Sequence, residues 1–379
     1  MRYGYGWLRR GILLTTFIAA CTTPTVSPAP TSVPATVTPA PTASSVSSMP
    51  TPISSGLREL VLMADDSFNV SREVLREFEQ RYNARVQILK VGDVGNAFNA
   101  IFAEGEPIAD VFFGVDNAFL GQAIRGDLFE PYRPYGLGEI PQEFLLDPEH
   151  RLIPINYGDV CLNYDKKYFR EKGLKPPEIL EDLMRPEYRG LLVVQNPAAS
   201  SLGLAFLLTT IAYFGEERWH DFWRALKVNE VKITEGWEDA YFKEFSGGIG
   251  NVGARPIVVS YATSPAAEIY FSEGKLTEPP IANVLGKNMC FRQVKFAGIL
   301  KGTRNRDLAE RWMDFMVSLR FQEDIPTQMF VFPVHPRARL PEFLWGFAET
   351  PSEPVRMDHV WIDANRERWI QEWTNLMLR

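Results

Sequence analysis

The chain has 379 residues, 45% of them hydrophobic, which is enough to bury a large core and to build roughly two domains. Its formal charge of -7 lacks the basic footprint that nucleic acid demands. Nucleic-acid partners are therefore excluded, whereas a small cationic ligand suits the acidic balance.

The N-terminus reads as a targeting device. Arg2, Arg9 and Arg10 flank an apolar run at 11–18 that is too short to span a bilayer as a mature helix, so residues 1–20 are expected to be a signal peptide. Ile18-Ala19-Ala20-Cys21 resembles the bacterial lipobox, in which the Cys is lipidated and becomes the new N-terminus. The competing reading is an ordinary secretory signal with an incidental Cys21. Residues 22–55 are dominated by Thr, Pro, Ser, Ala and Val and carry no charge. Such a segment cannot bury enough apolar surface to offset its ordering entropy, so 21–55 is expected to be a disordered tether at a membrane surface.

The folded part is predicted to start near Gly56. Leu60 to Ala64 is an apolar run of strand length, and Ser71 can cap a helix that places Val74, Leu75, Phe78 and Tyr82 on one face. Arg85 to Val91 alternates as a second strand, and Ile108 to Val115 is a third run leading into a helix over Asn117 to Ile124. This is the rhythm of a parallel sheet with helices on both faces. Asp65-Asp66-Ser67-Phe68 and Gly114-Val115-Asp116-Asn117 follow strands, where they either line a crevice at the carboxyl edge of the sheet or cap the next helix.

Arg151 to Tyr164 is a long extended stretch that reads as a crossing between lobes, with Gly158 allowing a bend. A second α/β set follows: a helix over Lys175 to Tyr188, a strand at Leu191 to Val194, a turn from Asn196 and a buried helix from Leu204 to Phe214. The turn Asn196-Pro197-Ala198-Ala199-Ser200-Ser201 offers backbone N–H groups and hydroxyls to an anion. From Ile233 to Phe271 the pattern predicts a helix opening at Gly236-Trp237, a Gly-rich loop, a buried strand Ile257 to Ser260 and a helix entered through Thr263-Ser264-Pro265. Trp237 and Tyr261 either face one crevice, where an aromatic pair suits a flat or cationic ligand, or pack the core. A return strand at Cys290 to Leu300, helices over Asp307 to Ser318 and on through Met329, and an amphipathic helix over Trp361 to Leu378 complete the chain.

The motifs Asp66-Ser67-Phe68, Gly114-Val115-Asp116-Asn117, Tyr157-Gly158, Asn163-Tyr164-Asp165-Lys166, Thr234-Glu235-Gly236-Trp237, Ser260-Tyr261-Ala262-Thr263-Ser264-Pro265-Ala266, Phe315-Met316-Val317-Ser318, and Ile325-Pro326-Thr327 before Phe332-Pro333-Val334 fall in one order. In that order they resemble the thiamine-binding proteins of bacterial ABC importers over 58–379. The resemblance implies an α/β, two-lobe periplasmic-binding-protein-like (type II) fold with hinge strands. Lobe one is then 56–157 plus 292–322, and lobe two is 158–291 plus 323–379. It implies a monomeric extracytoplasmic lipoprotein, without cofactor or metal, that closes on thiamine and hands it to a membrane permease. It also implies that Trp237 and Tyr261 bind the rings, that Asp66, Ser67, Asp116, Asn117 and Tyr157 line the cleft, and that Ser200 and Ser201 reach the phosphate end.

Departures from the family pattern bear on the ligand. Ala267 and Phe330 stand where relatives carry another aromatic and a Trp, and Ala198 and Ala199 thin the donors of the turn. Asp159 is expected to compensate by pairing with a positive group of the ligand. Thiamine is thereby favoured over its phosphates. Cys161 and Cys290 lie on the two inter-lobe strands and are either a disulfide or two buried thiols. A thiamine-cleaving enzyme of the same fold would need Cys161 as nucleophile with Asp159 or Glu268 as base, and a polyamine is the alternative ligand. Gly248 to Gly253 spells GxGxxG but follows a helix and precedes a strand, the reverse of a dinucleotide site, and reads as a flexible loop. The four histidines make no zinc spacing, and no Tyr-Tyr pair is present to serve as iron ligands.

Overall fold

Apolar runs of four to eight residues set out most of the strands. The computed structural model describes residues 56–92 and 108–379. The expected signal peptide, the lipidated Cys21 and the tether to residue 55 lie outside the described residues. The strands are β1 (Arg58–Ala64), β2 (Ala84–Lys90), β3 (Val111–Asp116), β4 (Phe129–Glu130), β5 (Ile153–Asp165), β6 (Leu192–Gln195), β7 (Lys232–Thr234), β8 (Ile257–Tyr261), β9 (Ile281–Val284), β10 (Phe291–Leu300) and β11 (Phe332–Pro333). The α-helices are α1 (Arg72–Tyr82), α2 (Leu120–Arg125), α3 (Lys166–Lys172), α4 (Ser201–Phe214), α5 (Trp219–Val228), α6 (Ser264–Phe271), α7 (Arg306–Val317), α8 (Leu319–Gln322), α9 (Ile325–Gln328), α10 (Glu342–Phe347) and α11 (His359–Met377).

Local chemistry explains the element ends. Ser71 accepts a hydrogen bond from the Val74 N–H at 3.3 Å and opens α1, which stops at Asn83 in the left-handed region (φ 46°). The expected helix over Lys175 to Tyr188 is instead two 3-10 turns, Leu180–Met184 and Pro186–Tyr188. Pro176, Pro177 and Pro186 remove the N–H groups that a continuous helix needs there. Three helices were not expected, α3, α5 and α10; α3 opens at the N-cap Asp165, which accepts from Lys167 and Tyr168.

The sheet order is β2-β1-β3-β10-β5-β8-β6-β7, with β4 on β10 and with β9 and β11 on β5. Two parallel trios, β2-β1-β3 and β8-β6-β7, flank a central antiparallel pair, β10 and β5. Each trio carries its own core. The first contains Leu60, Phe78, Phe112, Trp312 and Phe321, and the second Leu162, Phe206, Trp223, Trp369 and Trp373. The pair β5 and β10 passes through both, which is the two-lobe fold with two crossing strands.

One lobe boundary moves. Ile325, Val331 and Val334 belong to the first core, although residues from 323 onward were expected in the second lobe. The reason is β11, which pairs with β5 at Tyr157 and Asn156 and holds this segment against the first lobe. Val355, Ile362 and Trp369 then return to the second core. The GxGxxG loop is fastened at two points: the Ile249 N–H donates to Glu268 at 2.8 Å, and the Asn251 amide donates to the Tyr241 carbonyl at 2.6 Å.

Cys161 and Cys290 are joined by a disulfide. The ladder pairs Val160 with Phe291, so the next residues outward, Cys161 and Cys290, stand opposite each other with Cα atoms 4.4 Å apart. The bond closes a separation of 129 residues and locks one end of the crossing pair. The double substitution Cys161→Ser with Cys290→Ser is expected to lower the unfolding free energy by about 2–5 kcal/mol in urea titration. An unchanged midpoint would show that the bond does not constrain the unfolded chain.

Candidate functional site

Within each trio the parallel strands end on the same edge, so the segments that leave them cluster. From the first trio come Asp65 to Phe68 after β1, and Asp116 and Asn117 at the end of β3. From the second come the turn 196–201 after β6, Glu235 to Trp237 after β7, and Tyr261 at the end of β8. Carboxyl edges of this kind are where open α/β sheets take ligands. The two edges meet at a small cavity lined by Ser67, Asn156, Gly158, Tyr261, Gln293 and Lys295, with Met329 and Val331 closing one side. Its volume of about 20 Å³ holds about one water, so a ring-sized ligand requires the lobes to part.

β10 supplies the polar centre. Lys295 is buried and donates to Asp65 Oδ2 at 2.6 Å and to Ser67 Oγ at 2.6 Å, while Ser67 Oγ donates to Asp65 Oδ1 at 2.7 Å. Burial pulls the Lys295 ammonium down, but Asp65 together with Tyr261 and Asp116 outweighs it and holds the group above its ordinary pKa. Two bulges aim this stretch. Phe296 faces Pro154 while Lys295 faces Asn156, which leaves Ile155 as the extra residue, and on the other side Gly114 is the extra residue between Val115 and Phe113. Gly114 has φ +129°, and a Cβ there would lie 2.9 Å from the Asp65 side chain, so only glycine fits beside the ion pair.

A second chain of bonds crosses the cleft. The Tyr261 hydroxyl donates to Gln293 Oε1 at 2.7 Å, and Gln293 Nε2 donates to Asp116 Oδ2 at 2.9 Å. Asp116 also receives the Ala118 N–H at 2.8 Å, so it both caps a turn and faces the cleft. Asn117 is a strand clamp, donating to the Arg292 carbonyl and accepting from the Val294 N–H, both at 3.0 Å. Gly158 does not serve as a bend: it lies inside β5, and a Cβ there would come within 2.9 Å of the Tyr261 ring.

Trp237 is half-buried, its indole N–H donating to Ser260 Oγ at 2.8 Å and its ring stacked on Tyr241 at 5.0 Å. The helix it opens continues as a π-helix over Asp239–Glu244. Ser200 and Ser201 are buried at the start of α4, and Ser200 makes no side-chain capping bond.

Three expected contributors sit differently. Asp66 is exposed, with its carbonyl accepting from Lys90, whereas its neighbour Asp65 holds the buried ammonium. Asp159 has both oxygens bound by Arg292, at 2.6 and 2.9 Å, and so cannot offer a free carboxylate to a ligand. Burial works against the Arg292 charge, but its bonds to Asp159 hold the guanidinium above its ordinary pKa. Phe330 has φ 55°, and its ring packs on Tyr270, Phe271 and Phe343 at 5.3, 4.9 and 6.2 Å rather than lining the cavity. Tyr157 stacks between Phe144 and Phe332 with the Arg292 guanidinium 4.8 Å from its ring. Gln293 and Lys295 were missed, although polar residues at alternate positions of a mostly apolar strand, which also carries Arg292, were a signal for them.

These features define a two-lobed, type II periplasmic-binding-protein architecture with a polar interlobe cleft. Residues 106–348 match the model for bacterial extracellular solute-binding proteins, and the chain belongs to that family. It is similar to the thiamine-binding periplasmic protein of Salmonella typhimurium, 29% identical over 311 residues that cover 81% of this chain and 88% of that one. The thiamine-binding periplasmic protein of Escherichia coli is 28% identical over 310 residues, with the same coverage. A solved periplasmic thiamin binding protein superposes with a TM-score of 0.75 at 26% identity, covering 86% of this chain and 98% of that one. Iron-bound HitA from Pseudomonas aeruginosa, at 19% identity and a TM-score of 0.67, shares the fold.

Replacing Lys295 with Met strands the buried Asp65 carboxylate. Lys295→Met is expected to cost about 3–5 kcal/mol of stability, and Asp65→Leu in the same chain is expected to return much of the loss. Equal stability of wild type and Lys295→Met in denaturant titration would show that the pair contributes nothing.

Proposed function

We propose that this protein captures thiamine between its lobes and delivers it to an ABC permease. The observation that carries the reading is the pair Trp237 and Tyr261 at one carboxyl edge, the indole fixed by Ser260 and the phenol by Gln293. Thiamine has a permanently positive thiazolium ring and a flat aminopyrimidine. A cation over an aromatic face gains about 0.5–2 kcal/mol, depending on desolvation. The Asp116 carboxylate, bonded to the neutral Gln293 amide behind the cavity, favours a cationic guest. The names of the Salmonella and Escherichia relatives support the same ligand.

Binding is the role proposed, without catalysis. Cys161, the nucleophile that a thiamine-cleaving reaction would need, has its sulfur bonded to Cys290. Glu268, a candidate base, accepts from the Tyr241 hydroxyl at 2.6 Å and from Ile249. Lobe closure on the ligand is the signal offered to the permease, with Cys21 as the lipid anchor that keeps the protein at the membrane.

Trp237→Ala is expected to weaken thiamine binding by more than about 1 kcal/mol in calorimetry, and an unchanged affinity would remove the indole from the site. Cys21→Ser is expected to move the protein from the membrane fraction to the soluble one. Its retention on membranes would count against lipidation.

A further inference from the structure

We propose that Glu235 is a specificity residue that turns this cleft against phosphorylated ligands, an inference that rests on the thiamine reading above. β6, β7 and β8 are parallel, so the turn 196–201, Glu235 and Tyr261 share one edge. A turn that leads into the 14-residue helix α4 would ordinarily welcome an anion. Here the side chains around it do the opposite.

Asn196 is the polar side chain at the mouth of the turn. Its amide is directed at Glu235, with Nδ2 3.3 and 3.5 Å from the two carboxylate oxygens, while its Oδ1 takes the Ala198 N–H at 3.0 Å. The Asn196 amide is thus engaged by a carboxylate, and that exposed carboxylate adds negative charge beside the turn. Ala198 and Ala199 have no side-chain donor to add.

On the opposite side of the cleft the basic groups are already neutralised, Lys295 by Asp65 and Arg292 by Asp159. Among these residues a phosphate meets the Glu235 carboxylate and two bases that are already paired. The hydroxyl of unphosphorylated thiamine pays no such penalty, because it can donate to Glu235. Discrimination of this kind comes from a repulsive element as much as from an attractive one.

Calorimetry of the wild-type, Glu235→Gln and Glu235→Lys proteins with thiamine, thiamine monophosphate and thiamine diphosphate reads the ratio of phosphate-form to thiamine affinity. In Glu235→Gln that ratio is expected to rise about tenfold, the size of a unit-charge repulsion at a few ångströms in a wet site. It is expected to rise further in Glu235→Lys, and both gains are expected to shrink as salt is raised, which a purely steric role would not do. A ratio unmoved in both variants while thiamine still binds overturns the role of Glu235 and leaves the thiamine reading standing. A wild-type protein that binds no form of thiamine overturns both.

Discussion

The antiparallel pairing of β5 with β10 is the constraint on which the rest of the structure depends. β5 alone has 13 residues and β10 has 10, and each lobe grafts its parallel trio onto one of them, β3 onto β10 and β8 onto β5. Their register decides which residues of β10 look into the cleft, because successive side chains alternate between faces. Gln293 and Lys295 fall on one face, and Arg292 is set opposite Asp159. A slip of one residue would send the ammonium and the amide to the wrong side and take them away from Asp65 and Asp116.

The same ladder concentrates buried charge in the middle of the molecule. Taking Lys295 and Asp65 out of water is costly, and an apolar pair of similar volume would stabilise the fold as well or better. The two bulges around Phe296 and the glycine at 114 are further local departures from an ideal sheet, and they gather at the same place. Departures of this kind are expected where a surface serves a ligand rather than the core alone. The polar centre therefore marks the cleft independently of any aromatic residue.

Local pattern was a good guide to the elements and a poor guide to the partners. Apolar runs located β1, β2, β3, β6, β8 and β10, and the capping Ser71 located α1, because period and end chemistry are properties of neighbouring residues. The carboxyl-edge placement of Trp237, Tyr261, Ser67 and Asp116 followed from the strand order in the same way. The helix expected over Lys175 to Tyr188 failed because three prolines outweighed its apolar spacing. Which acid meets which base could not be read locally. Asp159 finds Arg292 across 133 residues and Asp65 finds Lys295 across 230, so both pairings are consequences of the sheet order. The packing of Phe330 was illegible for another reason: a single left-handed backbone angle, invisible in composition, accompanies a ring packed on α6 and α10.

The disulfide makes the connection between the lobes mechanically lopsided. Cys161 and Cys290 fasten β5 to β10 on the side of the second lobe, and the Asp159–Arg292 pair sits two residues further in, whereas both register shifts lie toward the first lobe. The two strands cannot slide past each other at the fastened end. Compliance is left to the stretch around Phe296, where Pro154 offers no N–H and the hydrogen-bond ladder is already interrupted. The linked strand ends are thereby the stiffer part of the crossing pair, and the bulged stretch beside Lys295, at the root of the first lobe, is the looser part.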